Sequence, residues 1–372
     1  MGTLYEITKR KCVGEKHERK NEKMNTDNIR YENFSMKYVS EAAELAWKEL
    51  EREKRNCPSL PEGNGKERLT QLLTWLSEQP YGKVALYQGK IIGFLAFGGP
   101  WDGFHGNEKG VFSPLGGSAF AEAKETGKGG ISRGKLASML FAEVAEELVR
   151  DGIFSCAISR YAHDEEVANS FIFNGFGIRC SDAIRAISEE KFGKNDKLGK
   201  TEKIDVQYEE LKADAFKEIA QLRKKLVLHM GKAPIFFPTD LSRYEEWFHE
   251  EKRVFTAKVQ GEIVGFISVE AEGENFLTED EKMANICGAF FKEEFRGSGI
   301  AEGLLSYVFD IYRTEGVENM GVDFETLNPT ALRFWSKYFT RYTYSFARRF
   351  DERIRGYAEY AQQANLENFD NY

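Results

Sequence analysis

The sequence predicts a mixed α/β fold built twice over, and three observations carry that reading. Length is the first: 372 residues, at about 150 per domain, make two domains plus connecting segments the expected organisation. Composition is the second, because 41% hydrophobic, 13% aromatic and 30% charged residues permit a buried core and exclude disordered or collagen-like chains. The third is an internal repeat. Residues 84–97 read against 255–269, with Gln88-Gly89 and Gly93-Phe94 matching Gln260-Gly261 and Gly265-Phe266, an offset of 260 − 88 = 172. Each copy alternates apolar residues on both sides of Gln-Gly, the pattern of a β-hairpin whose second strand is largely buried.

Taken in order, residues 1–28 are polar and charge-rich and are expected to form a flexible tail, in which Met24 offers a second start. A strand over 29–34 and an amphipathic helix over 38–51 follow, matched by a strand over 206–211 and a helix over 213–229 at offset 208 − 31 = 177. A further helix is expected over 68–78 and again over 241–252. Beyond the hairpin come a strand over 110–115, a helix over 136–149, Asp151-Gly152, a strand over 153–158 and a helix from Asp164. They parallel the helix over 301–312, Glu315-Gly316, the strand over 317–324 and the helix from Asn328, at offset 316 − 152 = 164. The shared order β-α-α-β-β-β-α-β-α-β gives halves at 29–186 and 204–350, joined by a charged, glycine-containing linker at 187–203. A helix and acidic tail are expected over 351–372.

Charge narrows the function. Lys+Arg 52 against Asp+Glu 60 gives a formal net charge of −8 and a pI near 5.5, so the chain exerts no overall pull on nucleic acid or anionic lipid. An acidic balance suits a cationic small molecule or a peptide amine. Cys12, Cys57, Cys156, Cys180 and Cys287 form no C-x-x-C pair, and those in the expected cores read as small hydrophobes of a protein in the reducing cytosol. No apolar run reaches the ~18 residues of a membrane span, and no apolar stretch follows Lys9-Arg10-Lys11 to make a signal peptide. The five histidines never pair at metal-ligand spacing, and no metal is expected.

The sharpest local signal runs from Ala284 to Ala301: a buried strand, a turn containing Gly297 and Gly299, and an apolar helix at once. Glycines there let a backbone approach a ligand closely, and the helix start offers unsatisfied N–H groups to a phosphate. The turn is neither a Walker loop nor a dinucleotide fingerprint. Arg296-x-x-Gly299-x-Ala301 after a strand resembles the acyl-CoA pyrophosphate motif of the GNAT superfamily of N-acetyltransferases, and the element order is similar to that fold. Asn328-Pro329-Thr330-Ala331, with Phe334-Trp335 beyond, is similar to the family's second signature; Asn328 is also a sound helix N-cap and Pro329 a sound first helical residue.

The resemblance covers both halves and implies two tandem GNAT-like acyl-CoA N-acyltransferase domains with a mixed sheet. It implies acetyl-CoA as acyl donor and an amine as acceptor, with Phe291, Arg296, Gly297, Ser298, Gly299, Ile300, Ala301 and Asn328 holding the donor. In the first half Ser132 and Lys135 stand where Arg296 and Gly299 stand in the second, so that half is expected to bind CoA weakly or not at all. The glycine-rich stretch 97–105 and the helix start at His163 and Asp164 are candidates for an acceptor pocket, against plain capping by Asp164.

The implied mechanism is direct transfer: an amine attacks the thioester, a backbone N–H near Phe291 steadies the oxyanion, a carboxylate or water is base, and a Tyr protonates the thiolate. The chain departs from the family at that Tyr, having Trp335 and Phe171 at the two corresponding positions. Tyr338, Tyr342 and Tyr344 are the candidate replacements, and Asp323 and Glu325 the candidate bases. A non-catalytic acyl-CoA sensor or scaffold is the rival reading. Within the enzyme class, an antibiotic- or polyamine-modifying activity is the narrower alternative.

Overall fold

The structure, a computed structural model, describes residues 28–61, 63–104, 108–126, 130–188, 205–231, 252–351 and 353–354. The N-terminal tail up to residue 27, most of the linker, the helix expected over 241–252 except its last residue, His105, and the C-terminal helix and tail beyond residue 354 lie outside the described residues.

The first half runs β1 (Arg30–Asn33), α1 (Val39–Glu53), α2 (Gly65–Ser77), β2 (Tyr81–Tyr87), β3 (Lys90–Trp101), β4 (Gly110–Ser113), β5 (Ser118–Phe120), α3 (Arg133–Arg150), β6 (Ser155–Tyr161), α4 (Glu165–Phe173) and β7 (Gly177–Ala186). The second half runs β8 (Val206–Leu211), α5 (Ala220–Gly231), β9 (Arg253–Val259), β10 (Glu262–Glu270), β11 (Met283–Phe291), α6 (Ile300–Thr314), β12 (Asn319–Glu325), α7 (Pro329–Tyr338), β13 (Thr340–Arg341) and β14 (Thr343–Arg349). Both Gln-Gly turns are as the repeat suggests: Gln88 and Gly89 have φ 51° and 78°, Gln260 and Gly261 51° and 82°. Two successive positive φ values mark the turn whose twist matches that of the strands it joins. Helix α6 buries Ile300, Leu304, Leu305 and Val308, a stripe at helical spacing that seats it on the sheet.

Two elements differ from the sequence expectation. Over 213–229 the chain forms a 3-10 turn (Ala213–Ile219) before α5. The strand over 110–115 stops at Ser113, because Pro114 carries no N–H for the ladder and its carbonyl instead accepts from Gly117 N at 2.8 Å. The loop that follows contains β5, which rejoins β3.

The strands form one sheet in the order β1-β2-β3-β4-β6-β14-β7-β12-β11-β10-β9-β8, with β5 on β3 and β13 on β7. The last strands cross over. β7, ending the first half, pairs antiparallel with β12 of the second, from Ala186↔Asn319 to Cys180↔Glu325. β14, ending the second half, lies between β6 and β7. The main core therefore mixes both halves: Phe276 and Leu277, from the loop between β10 and β11, and Tyr342, Phe346 and Phe350 pack with Phe94, Phe141 and Phe171. Among the described residues, no helix is long and apolar enough to cross a membrane.

Candidate active site

Strands β11 and β12 pair in parallel only from Met283↔Asn319 to Ile286↔Val322, so beyond that point the two diverge. Cys287 is the extra residue of a β-bulge, since Ser268 faces Gly288 while Val269 faces Ile286, and a bulge bends its strand. A sequence expectation is corrected here: the bulge leaves Cys287 exposed, and Cys180 on β7 is half-buried, both lining a cavity, whereas Cys156 is buried. Lys292 N donates to Val264 O across β10. Because backbone groups alternate sides along a strand, the N–H groups of Phe291 and Ala289 point the other way, into the gap.

At the mouth of the gap, Gly297 and Gly299 have φ 74° and 89°, values that favour glycine. They turn the chain into α6, whose N-terminus no side chain caps. Open amides and the positive end of a helix remain, and a Cβ placed on Gly297 would meet nothing within 4 Å. Ser298 Oγ donates to Phe295 O at 2.6 Å and Arg296 Nε to Phe291 O at 3.0 Å, which fixes the turn. This cradle fits a diphosphate. A groove of about 330 Å³ runs from it past Phe291, Ala301, Asn328 and Trp335. Asn328 caps α7 with its side-chain oxygen, accepting from Thr330 N and Ala331 N at 3.2 and 3.4 Å.

Behind the groove, sharing Asn328, Ala331 and Trp335 with it, lies a cavity of about 660 Å³ whose wall includes Glu270, Glu272, Glu274, Asp323 and Glu325. A second cavity of about 330 Å³ shares Glu274, Asp323 and Glu325 and reaches the seam between the halves, where Asp182 of β7 joins its wall. Asp323 and Glu325 lie two apart on β12 and face the same way. Glu325 Oε1 accepts from Arg179 at 3.0 Å, while its buried Oε2 has no hydrogen-bond partner. Burial raises the Glu325 pKa, with Arg179 pulling against it. The Asp323 carboxyl is open to the cavity, yet enclosure by protein, then Glu274 and Asp182, pushes it well above the usual carboxylate range. Burial likewise lifts Asp182 to about 6, against its hydrogen bond with Thr343 and with Glu274 adding to the rise.

The expected cradle residues and the two expected bases thus come together around one gap. Tyr338 does not join them: its hydroxyl donates to Glu302 at 2.9 Å, and it lines neither the groove nor the cavities. Tyr342 is buried with its hydroxyl on Asn275 Nδ2 at 3.0 Å. Trp335 does line the groove and the larger cavity. Sequence reasoning missed Asp182, Glu274 and Arg179. A polar residue inside the β7 pattern was the available signal for Asp182; its partner strand was not legible.

The first half treats the equivalent place differently. At offset 164, Arg133 stands for Gly297, Asp164 for Asn328, and Ser159 and Tyr161 for Asp323 and Glu325. Ser132 Oγ accepts from Lys135 N at 3.3 Å, and Glu166 Oε1 from Gly134 N at 3.2 Å, so a carboxylate of the chain itself occupies the start of α3. The gap between β5 and β6 is bridged by Arg160, which donates to Ser118 O at 2.5 Å and to Glu49 at 2.7 Å. Arg133 joins Glu49 and Asp164 at 2.7 and 2.5 Å. Burial opposes these charges, but Arg160 and Arg133 outweigh it and lower the Asp164 pKa. Asp164 accordingly does not cap α4 with its side chain, and His163 pairs with Glu53 at 2.6 Å. Neither residue lines either of the two cavities behind the groove. Among the described residues, no group of three or more His, Cys, Asp or Glu is placed to hold a metal ion.

Residues 223–339 match the Acetyltransferase (GNAT) family. No curated protein matches the chain. Among solved structures, the chain is similar to a GCN5-related N-acetyltransferase from Sphaerobacter thermophilus, at 13% identity and TM-score 0.53, covering 87% of this chain and 96% of that one. It is also similar to a fungal multi-domain GH3 β-N-acetylglucosaminidase with a GCN5-related glucosamine N-acetyltransferase region, at 17% identity and TM-score 0.50, covering 86% of this chain. This chain spans 38% of the length of that fungal protein.

Proposed function

From the match of residues 223–339 to the Acetyltransferase (GNAT) family, we propose that the second half transfers an acetyl group from acetyl-CoA directly to an amine, in the cytosol. The observation that carries this reading is the uncapped, glycine-turned start of α6 opening onto the gap between β11 and β12, with carboxylates behind it. The amides of Gly297, Ser298, Gly299, Ile300 and Ala301 would grip the pyrophosphate, aided by the helix dipole. Arg296, Phe291 and Asn328 shape the groove that holds the rest of the donor.

The thioester then lies in the gap, where the inward N–H groups of Ala289 and Phe291 are placed to steady the developing oxyanion. Glu325 is the base: Arg179 orients Oε1, and Oε2, buried and without a hydrogen-bond partner, takes the ammonium proton once the side chain turns towards the cavity. The amine nitrogen bonds to the acyl carbon, the C–S bond breaks, and the sulfur leaves as thiolate through the groove. Among the described residues no phenol lines the groove or the cavities: Trp335 occupies the usual position and the Tyr338 hydroxyl is engaged with Glu302. An acyl-enzyme on Cys287 is disfavoured, since the thiol, although open to the cavity, is enclosed closely enough by protein to be pushed up to about 12.

The internally filled gap of the first half supports a single donor site per chain. Calorimetry with CoA and a thiol-release assay over an amine panel test the reading. One mole of CoA bound per chain is expected, with Glu325→Gln losing about 10²- to 10⁴-fold in turnover while CoA heat is unchanged. Wild-type protein giving no CoA heat would refute it. Heat without thiol release from any amine would favour the sensor, the reading to which Trp335 lends support.

A further inference from the structure

The stretch that joins β10 to β11 belongs to the second half by sequence and to the first by packing. Glu272, Gly273 and Glu274 line the larger cavity, and Glu274 and Asn275 line the seam cavity. The next two residues leave both cavities: Phe276 and Leu277 are 5% and 2% exposed and sit in the main core among first-half residues. Gly116 leaves the room they need, since a Cβ there would lie 2.6 Å from Leu69 and 3.2 Å from Phe276. Just beyond, Arg68 of α2 faces Glu279 at 3.8 Å. Asn275 ties wall to anchor: its Nδ2 donates to Asp182 Oδ2 and to the Tyr342 hydroxyl, each at 3.0 Å, and its Oδ1 accepts from Leu277 N at 3.0 Å. Asn285 of β11 holds the two ends of the stretch together, donating to Ala271 O at 3.1 Å and to Thr278 O at 3.0 Å.

We propose that Phe276 and Leu277 are positioning residues: the first half clamps them in its core and, through them, fixes residues 272–275 as the wall that holds an acceptor near Glu325. This rests on the acyl-transfer reading above, in which the amine reaches Glu325 from the two cavities that residue lines. Connections with few buried contacts open at little free-energy cost. Two buried apolar side chains raise that cost, and the wall stays in place for a larger share of the time. A half whose own donor gap is filled by Arg160 thereby acts on the reaction without touching donor or acceptor. The donor cradle, built on α6 at the other end of β11, does not depend on the clamp.

Two cysteines serve as reporters. Cys180 lines both cavities, whereas Cys156 is buried in the core that holds Phe276. The full chain is pulsed with iodoacetamide, and each thiol is followed by mass spectrometry. In Phe276→Ala, Cys180 is expected to react about tenfold faster than in the wild type, while Cys156 stays as protected as before. In the thiol-release assay the same variant should raise KM for the amine about tenfold, with kcat and KM for acetyl-CoA little changed. Leu277→Val, a smaller change at the same anchor, is the second variant and should move Cys180 and the amine KM in the same direction. Cys180 and Cys156 reacting faster together would reveal plain loss of core stability and overturn the proposal. So would a Cys180 rate or an amine KM that neither variant moves. A wild type that releases no thiol with any amine removes the acyl-transfer reading, and labelling then still decides whether the first half clamps the wall; thiol release with unmoved Cys180 labelling removes this inference alone.

Discussion

Asp182 illustrates how a single side chain can be held against its own chemistry. An aspartate titrates near 3.9 in an unfolded chain, and here burial lifts it to about 6, so the folded state binds its proton more tightly. Stability is therefore greatest below the unfolded pKa and falls as pH rises from about 4 to about 6, levelling off above that. Two units correspond to at most about 3 kcal/mol, relaxation and water in the cavity reducing it. Asp182→Asn should accordingly melt higher than the wild type at pH 8, with the advantage vanishing near pH 4. Thermal melts at the two pH values check this, and an Asn variant that melts lower at pH 8 would contradict it. Glu325 follows the same logic with Arg179 as a counterweight, which leaves a carboxylate able to accept a proton.

Two helices at corresponding places in the two halves show what a few positions do to an element. The start of α3 is closed by Ser132 and Glu166; the start of α6 is left open after Gly299. Gly299→Trp places a bulky side chain at φ 89°, where L residues are strained, and covers the amides. CoA at a hundredfold over its dissociation constant should stabilise the wild type by about 2.7 kcal/mol. That thermal shift is expected to disappear in Gly299→Trp and persist in Lys135→Ala. Loss in the Lys135 variant instead would move the donor site to the first half.

On the scale of the molecule, the crossover of β7 and β14 makes two sequence halves into one sheet with a shared core. Phe346, fully buried on β14, packs among first-half residues, so Phe346→Ala should cost about 3–5 kcal/mol. It should also lower the melting of the whole chain as one event. Calorimetry is expected to show a single transition whose van't Hoff and calorimetric enthalpies agree. Two peaks, with only one moved by the substitution, would show halves that unfold independently.

The sequence by itself determined what neighbours along the chain decide. The Gln-Gly turns, the Asn328 cap, the glycine entry to α6 and the alternation of the hairpins all follow from residues within a few positions, whose backbone preferences act over that range. Only the tertiary structure decided which strand each terminal strand joins, and with it the meeting of Asp182 and Asp323. The same holds for Asp164, legible as a cap in its own segment but drawn away by Arg133 and Arg160. It holds as well for Cys287, turned into a cavity by a bulge set against β10. Sheet closure and charge pairing are settled by partners far along the chain, and no local propensity names them.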